Sequence, residues 1–427
     1  MRTVLVGVGE KERGAKLLAR APIYDVDIFT DEVIQNPWPH YAAMRDLGAV
    51  VWLPRHENFA LVHHAVLAEA LRDHDTFISG KGVAACAFAN EILRGNSAAS
   101  DGERHNLIRR ATSPPLLPAA LEEIRGVIEE AAAQLIEQLI GRDGFDAMSE
   151  LAAHLPLTIV RDLVGLGDHG RENMLRWASA TFDLNGVQND RGKAALEVFM
   201  EQRRFAQSQT PEMAKPGSWT HRLLDVVQRG DLPAELLPHA MRDYIVPSLD
   251  TTISATGELI YQLGRNPDQW ALLRSKPDLA RNAANEAVRM ASPVRSFGRH
   301  TSREVEVAGV TIPEGARIMM MFAAANRDER AFERPNDFDI TRDPRLHLGF
   351  GRGIHMCAGM HLAQLEMMSI LKAMIPRVET IEVGEPTVGI NNIIYGFASL
   401  PTRLVRDART VSSDNRDFLI AAAERKS

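Results

Sequence analysis

One ten-residue stretch constrains this chain more than any other: Phe350-Gly351-Arg352-Gly353-Ile354-His355-Met356-Cys357-Ala358-Gly359. Behind it, Met360 to Met374 carries apolar residues at helical spacing. Cys357 therefore stands where a loop enters a helix. Unpaired N–H groups and the positive end of the helix dipole favour a thiolate there. The glycines of the loop let the backbone bend and approach closely. Peptide N–H groups can then point at the sulfur and tune a bound metal. A lone cysteine is more often a small buried hydrophobe. Six specified residues in one such window arise by chance at about 10⁻⁸ per register, which favours the ligand reading.

Composition narrows the setting. Only Cys86 and Cys357 occur among 427 residues, so a disulfide framework is excluded by count. The net charge is −7 and no long basic run stands out, which argues against nucleic acid as a partner. No stretch approaches the roughly 20 apolar residues that span a bilayer. The start, MRTVLVGVGEKERGAK, has too short an apolar patch and lacks the order of a secretory signal. The expectation is a soluble cytoplasmic protein without a membrane span.

No internal repeat or low-complexity linker divides the chain. It reads as one domain over 22–407, with an extension at 1–21 and a tail at 408–427. The pattern predicts a mainly α protein with a small β region. Leu121 to Ile140 and Leu151 to Val164 have helical periodicity, and the longest candidate runs from about Pro233 to Gly264. Val50 to Leu53 and Phe59 to Val62 are predicted to pair across a turn. Val305 to Val307, Val310 to Ile312 and Ile318 to Met321 form a second group of short strands. Asn326 to Phe350, rich in Pro, Asp, Asn and Arg, reads as a long surface coil; such coils are usually functional.

The cysteine segment resembles the signature of the cytochrome P450 family, in which a Phe, two glycines, a His or Arg, the ligand Cys and a Gly follow in this order. The likeness extends over roughly Pro22 to Asp407, in the style of soluble bacterial members. It implies a single-domain fold with a long central helix over haem b. Cys357 would be the axial thiolate and metal ligand, with Phe350 and Gly351 in the cofactor-binding loop. A thiolate ligand favours O–O cleavage.

Three further constellations are similar to family features. Glu286 and Arg289, on one face of a predicted helix, match Glu-x-x-Arg and imply a structural role pinning the coil under the haem. The third partner usual in the family is missing before Phe338, and Arg334 is a candidate substitute. His105 and Arg109 match His-x-x-x-Arg and, with Arg299 and His355, imply four donors for two haem propionates. Taken singly, each is an ordinary polar residue. Asp250 and Thr251 match the acid–alcohol pair above the haem; Thr251 would order water at the oxygen site and Asp250 would relay protons from solvent. Ahead of them stand Pro247 and Ser248, where relatives carry small residues. Proline removes an N–H and clashes with the carbonyl four residues back, so a kink or bulge is expected at 243–251.

By the same resemblance the substrate pocket would be lined by Phe88, Phe182, Val246, Leu249, Val294 and Phe297. The tail Gly396 to Pro401 looks like a last pocket-lining strand. Arg295, close to the haem path, could hold an anionic group; otherwise it points away and pairs with a surface acid. The implied activity is a monooxygenase placing one atom of O₂ into a small apolar or aromatic organic substrate. Electrons would come from NAD(P)H through a separate ferredoxin and ferredoxin reductase. Arg110, Arg345 and Arg352 would meet the acidic ferredoxin. A peroxide-driven oxidase and a haem-thiolate binding or sensing protein without turnover are the alternatives.

Overall fold

The computed structural model describes residues 21–408, so most of the 1–21 extension and of the 408–427 tail lies outside the described residues. The body is helical, with small sheets at its edge. Val50–Leu53 and Asn58–Leu61 pair antiparallel, as their alternation predicts. Arg317–Met320 then adds parallel to Asn58–Leu61, followed by Phe297–Thr301 and Phe77–Ile78. The second predicted group of strands therefore divides. Val305–Val307 and Val310–Ile312 form a separate hairpin, turned by Ala308 and Gly309, both at positive φ as a two-residue turn requires.

The predicted helices form with small changes of boundary: Pro118–Leu139, Ala280–Ala291 and Met360–Met374. Leu151 to Val164 is helical without being one α-helix. It passes through wider turns at Ala147–Ala152 and Pro156–Val160 before the short Arg161–Val164 helix. Among the described residues no helix is long and apolar enough to cross a membrane.

The run from Pro233 to Gly264 is interrupted where the proline chemistry says it should be. One helix covers Leu237–Ile245 and the next Asp250–Arg265, with a turn between them. Pro247 has no N–H to offer. The Asp243 carbonyl thereby loses its helical donor, and in the turn the Tyr244 carbonyl accepts from the Ser248 hydroxyl. Thr251 Oγ1 likewise donates to the Pro247 carbonyl at 3.0 Å. Asp250 thus begins a helix rather than lying in the middle of one.

The 326–350 coil is irregular as expected, and buried side chains hold it. Arg289 grips Glu286 through two bonds of 2.8 Å, both side chains almost fully buried. The same guanidinium donates to the carbonyls of Asn326, Pro335 and Asp337 at 2.7–3.1 Å. Glu286 accepts from the Asp339 N–H and from Arg342 Nε at 3.1 and 3.2 Å. The third partner is therefore Arg342. Arg334, the candidate from sequence, stays exposed and pairs with Asp337 and Asp339.

Removing one member of a buried, hydrogen-bonded pair leaves an uncompensated charge. Arg289→Ala should cost about 3–5 kcal/mol in denaturant unfolding. Arg342→Ala should cost about 1–3 kcal/mol, and Arg334→Ala should stay within about 0.5 kcal/mol of the parent.

Candidate active site

Cys357 is set by short-range bonds. Its N–H donates to the Phe350 carbonyl at 2.9 Å, and the Gly351 N–H donates to Leu348 at 2.8 Å. Gly353 has φ +72°, and a Cβ there would stand 2.4 Å from the Leu71 carbonyl oxygen. The sulfur accepts from the N–H groups of Gly359 and Met360 at the start of the next helix. Burial pushes the thiol pKa up, while those N–H groups and Arg109 pull it down. The side chain is accessible, but what it faces is an internal cavity.

That cavity contains about 1820 Å³ of space, counting its mouth. Cys357, Phe350 and Gly351 form part of one wall, and Thr251, Thr252 and Ala255 part of another. His105, Arg109, Arg299 and His355 also line it. Arg109 Nη2 donates to the Met356 carbonyl at 2.7 Å. Arg299 is buried and donates to the Gly298 carbonyl at 2.7 Å, with no carboxylate within ion-pair distance among the described residues. The rings of His105 and His355 meet edge-on at 4.6 Å. Nε2 of each is buried without a hydrogen-bond partner among the described residues. Burial, with Arg299 and His105 nearby, holds His355 down to about 4 despite Asp101 at 3.8 Å. Buried ring nitrogens without partners are costly unless something supplies them. A ligand edge bearing carboxylates fits that need, and Cys357 offers a sulfur ligand within the same cavity. The residues present therefore fit a haem.

Of the expected pocket residues, Phe182, Val246, Val294 and Phe297 line the cavity. Phe88 does not; it is 47% exposed on the surface. Leu249 is fully buried, yet it packs into the main apolar core instead of the cavity wall. Gly396 to Pro401 does not reach the cavity either; Phe397 rests against Tyr261 and Tyr395. Arg295 is buried and turned to the loop 391–393, donating to the carbonyls of Asn391 and Asn392 at 2.9 and 2.6 Å. Its donors are used in bracing that loop, so it does not meet a substrate anion.

Asp250 is half-buried and off the cavity wall, whereas its neighbour Thr251 lines it. Burial and the nearby Asp183 carboxylate raise Asp250 to about 7. Asp183 is itself raised to about 6 by burial, against the Asn392 N–H and the charges of Arg191 and Arg295. Sequence reasoning missed Asp183, Asp101 and the buried Arg242 and Asp243 of the cavity wall. Asp101 alone carried a signal: an acid just before a helix, at Gly102–Thr112. Its carboxylate caps no helix here and accepts the N–H groups of Ser79 and Gly80.

A family model described as Cytochrome P450 matches residues 272–392. The chain is 35% identical to Cytochrome p450 CYP199A2 of Rhodopseudomonas palustris, over 90% of this chain and 95% of that one. It is 32% identical to Cytochrome P450-terp of Pseudomonas sp, over 72% and 75% of the two chains. The solved structure of Mycobacterium marinum cytochrome P450 CYP268A2 in complex with pseudoionone superposes with TM-score 0.77 at 25% identity, covering 90% of this chain and 99% of the other.

Arg295→Leu should weaken acidic and neutral ligands alike and lower stability by about 2–4 kcal/mol through two orphaned carbonyls. Titrating matched acidic and neutral ligands into both proteins checks this; a loss confined to the acid would reinstate Arg295 as an anion receptor.

Proposed function

Because this chain belongs to the cytochrome P450 family and is thus a haem-thiolate monooxygenase, we propose that it oxidises a small apolar or aromatic molecule by hydroxylation, epoxidation or oxidative dealkylation. The observation that carries this reading is Cys357, presented to a cavity on a loop whose own N–H groups reach its sulfur. Haem, when bound, supplies the redox chemistry that activates O₂, and a thiolate ligand favours O–O cleavage.

The chain's own residues have separate tasks in this proposal. Cys357 is the metal ligand. His105, Arg109, Arg299 and His355 hold the two carboxylates of the cofactor, and the unpartnered Nε2 atoms of His105 and His355 support that assignment. Phe182, Val246, Val294 and Phe297 orient an apolar substrate and exclude water. Thr251 orders water at the reaction site. Asp250 holds a proton near neutral pH and delivers it toward Thr251, as a general acid with a matched pKa should. Such an acid favours O₂ over peroxide as the oxidant, because O₂ use requires protons to be delivered.

Electrons come, in this reading, from NAD(P)H through a ferredoxin reductase and a ferredoxin. Arg110 and Arg345 are strongly exposed. Ile354 of the cysteine loop adds exposed apolar surface. Such a face suits an acidic protein that docks transiently.

Cys357→Ser should abolish the thiolate signature of the reduced carbon monoxide complex; an unchanged spectrum would refute the ligand assignment. NAD(P)H consumption with a surrogate ferredoxin system should depend on substrate and fall several-fold when Arg110 and Arg345 are both changed to Glu. Asp250→Asn should lower turnover about 10–100-fold. The pH dependence of stability gives an independent reading. The folded pKa of Asp250 lies above the unfolded value, so its cost is absent below about pH 4 and fully present above about pH 7. The Asn variant should therefore be the more stable one at about pH 8, by about 1 kcal/mol, and lose that advantage near about pH 4.

A further inference from the structure

A second, polar cavity lies beside the haem cavity and shares a wall with it. Leu93, Asn96 and Ser97 face the haem side, while Arg94, Gly95 and Ser100 of the same segment face the other. The Leu237–Ile245 helix is shared in the same way, with His239 on the second cavity and Arg242 on the first.

The charges in this second cavity do not balance locally. Arg94 is neutralised by Glu91 at 2.8 Å. Asp101 is engaged by the N–H groups of Ser79 and Gly80. Arg104 donates to the Gly95 carbonyl through Nε at 3.0 Å and has no acid partner among the described residues. Arg203 makes no hydrogen bond or ion pair among the described residues. His239 Nδ1 and Ser100 Oγ are buried without partners. Gly95, at φ +108°, lets the two basic side chains cross the backbone; a Cβ there would lie 2.8–2.9 Å from Arg104 and His239 atoms.

We propose that this cleft binds a small oxyanion, held by Arg104 and Arg203 with Ser100 and His239 as hydrogen-bond partners. Guanidinium forks match the geometry of oxyanions. Buried polar atoms without partners are stabilised once a ligand supplies them. The ligand stays outside the reaction, on the far side of the wall that Asn96, Ser97 and Arg242 present to substrate. Its binding is coupled to protons. Burial, Arg242, Arg104 and Arg203 together hold His239 at about 4. An anion placed among these groups favours charged His239, so affinity rises as pH falls. Of the acids of the cleft, Glu91 is neutralised by Arg94, whereas Asp101 keeps its charge among neutral N–H groups and opposes the anion, so that Arg104 and Arg203 must outweigh it.

Sulfate is the probe of choice, since its charge is constant across the range. Titrated into the haem-loaded protein by calorimetry, it should saturate without moving the Soret band. Arg203→Gln, a partly exposed position, should weaken it about 10-fold or more. Affinity should rise several-fold from about pH 8 to about pH 5.5, and His239→Asn should flatten that dependence. Acetate in parallel separates a carboxylate ligand from a tetrahedral oxyanion. Absence of saturation with both anions, equal affinity in Arg203→Gln, or a Soret shift showing entry to the haem cavity would overturn the proposal. The carbon monoxide spectrum of the same sample reports on haem ligation independently.

Discussion

The Glu286–Arg289 pair is the constraint on which the rest of the molecule depends. Two charges taken out of water are costly, and the cost is offset only if every donor and acceptor finds a partner. Here they do, and the partners are main-chain groups scattered along the coil from Asn326 to Asp339. Asn326 carries the restraint onward. Its Nδ2 donates to Ser292 Oγ at 2.8 Å and its Oδ1 accepts the Leu348 N–H at 2.7 Å. Leu348 in turn accepts from Gly351. A coil with no ladder of its own is thus fixed up to the loop that presents Cys357.

Across the cavity the opposite principle operates. The turn at Pro247 removes backbone hydrogen bonds instead of adding them, and hydroxyls of Ser248 and Thr251 take over two carbonyls. Tyr244, just before the turn, ties this helix to the Thr112 carbonyl at 2.9 Å and so to the helix bearing His105 and Arg109. The interruption leaves Asp250 at a helix start facing Asp183, and two carboxyls with raised pKa values result. One side of the cavity is over-determined by bonds, while the other keeps groups ready to change protonation.

What the sequence disclosed follows from the range of each interaction. The cysteine loop was legible because its geometry depends on neighbours within ten residues and on glycine. The interruption near Pro247 was legible because a missing N–H is a local fact. Arg342 was not, since Arg334 and Arg342 stand on the same irregular coil and only its path decides which reaches Glu286. Helical spacing placed Val246 and Leu249 on one apolar run, yet the turn between them sends Val246 to the cavity and Leu249 to the core. Arg295, for which both a pocket role and an outward course were open, was undecided for a similar reason: the loop 391–393, nearly a hundred residues away, supplies the carbonyls that claim it. Asp183 and Asp250 meet only because two helices pack.

The close approach of Gly353 to Leu71 bears on how the loop can be re-engineered. With 2.4 Å between the carbonyl oxygen and any Cβ, position 353 admits no alternative without moving the segment around Leu71. Gly351 is also at positive φ, but its nearest neighbour is 3.8 Å away, so a substitution there strains the backbone without a collision. A randomised library over this loop should therefore return glycine at 353 from every folded clone and admit occasional Asn or Asp at 351, the side chains that best tolerate such a backbone. At position 353, sequence variety will be rationed by a contact with a segment far away in the chain.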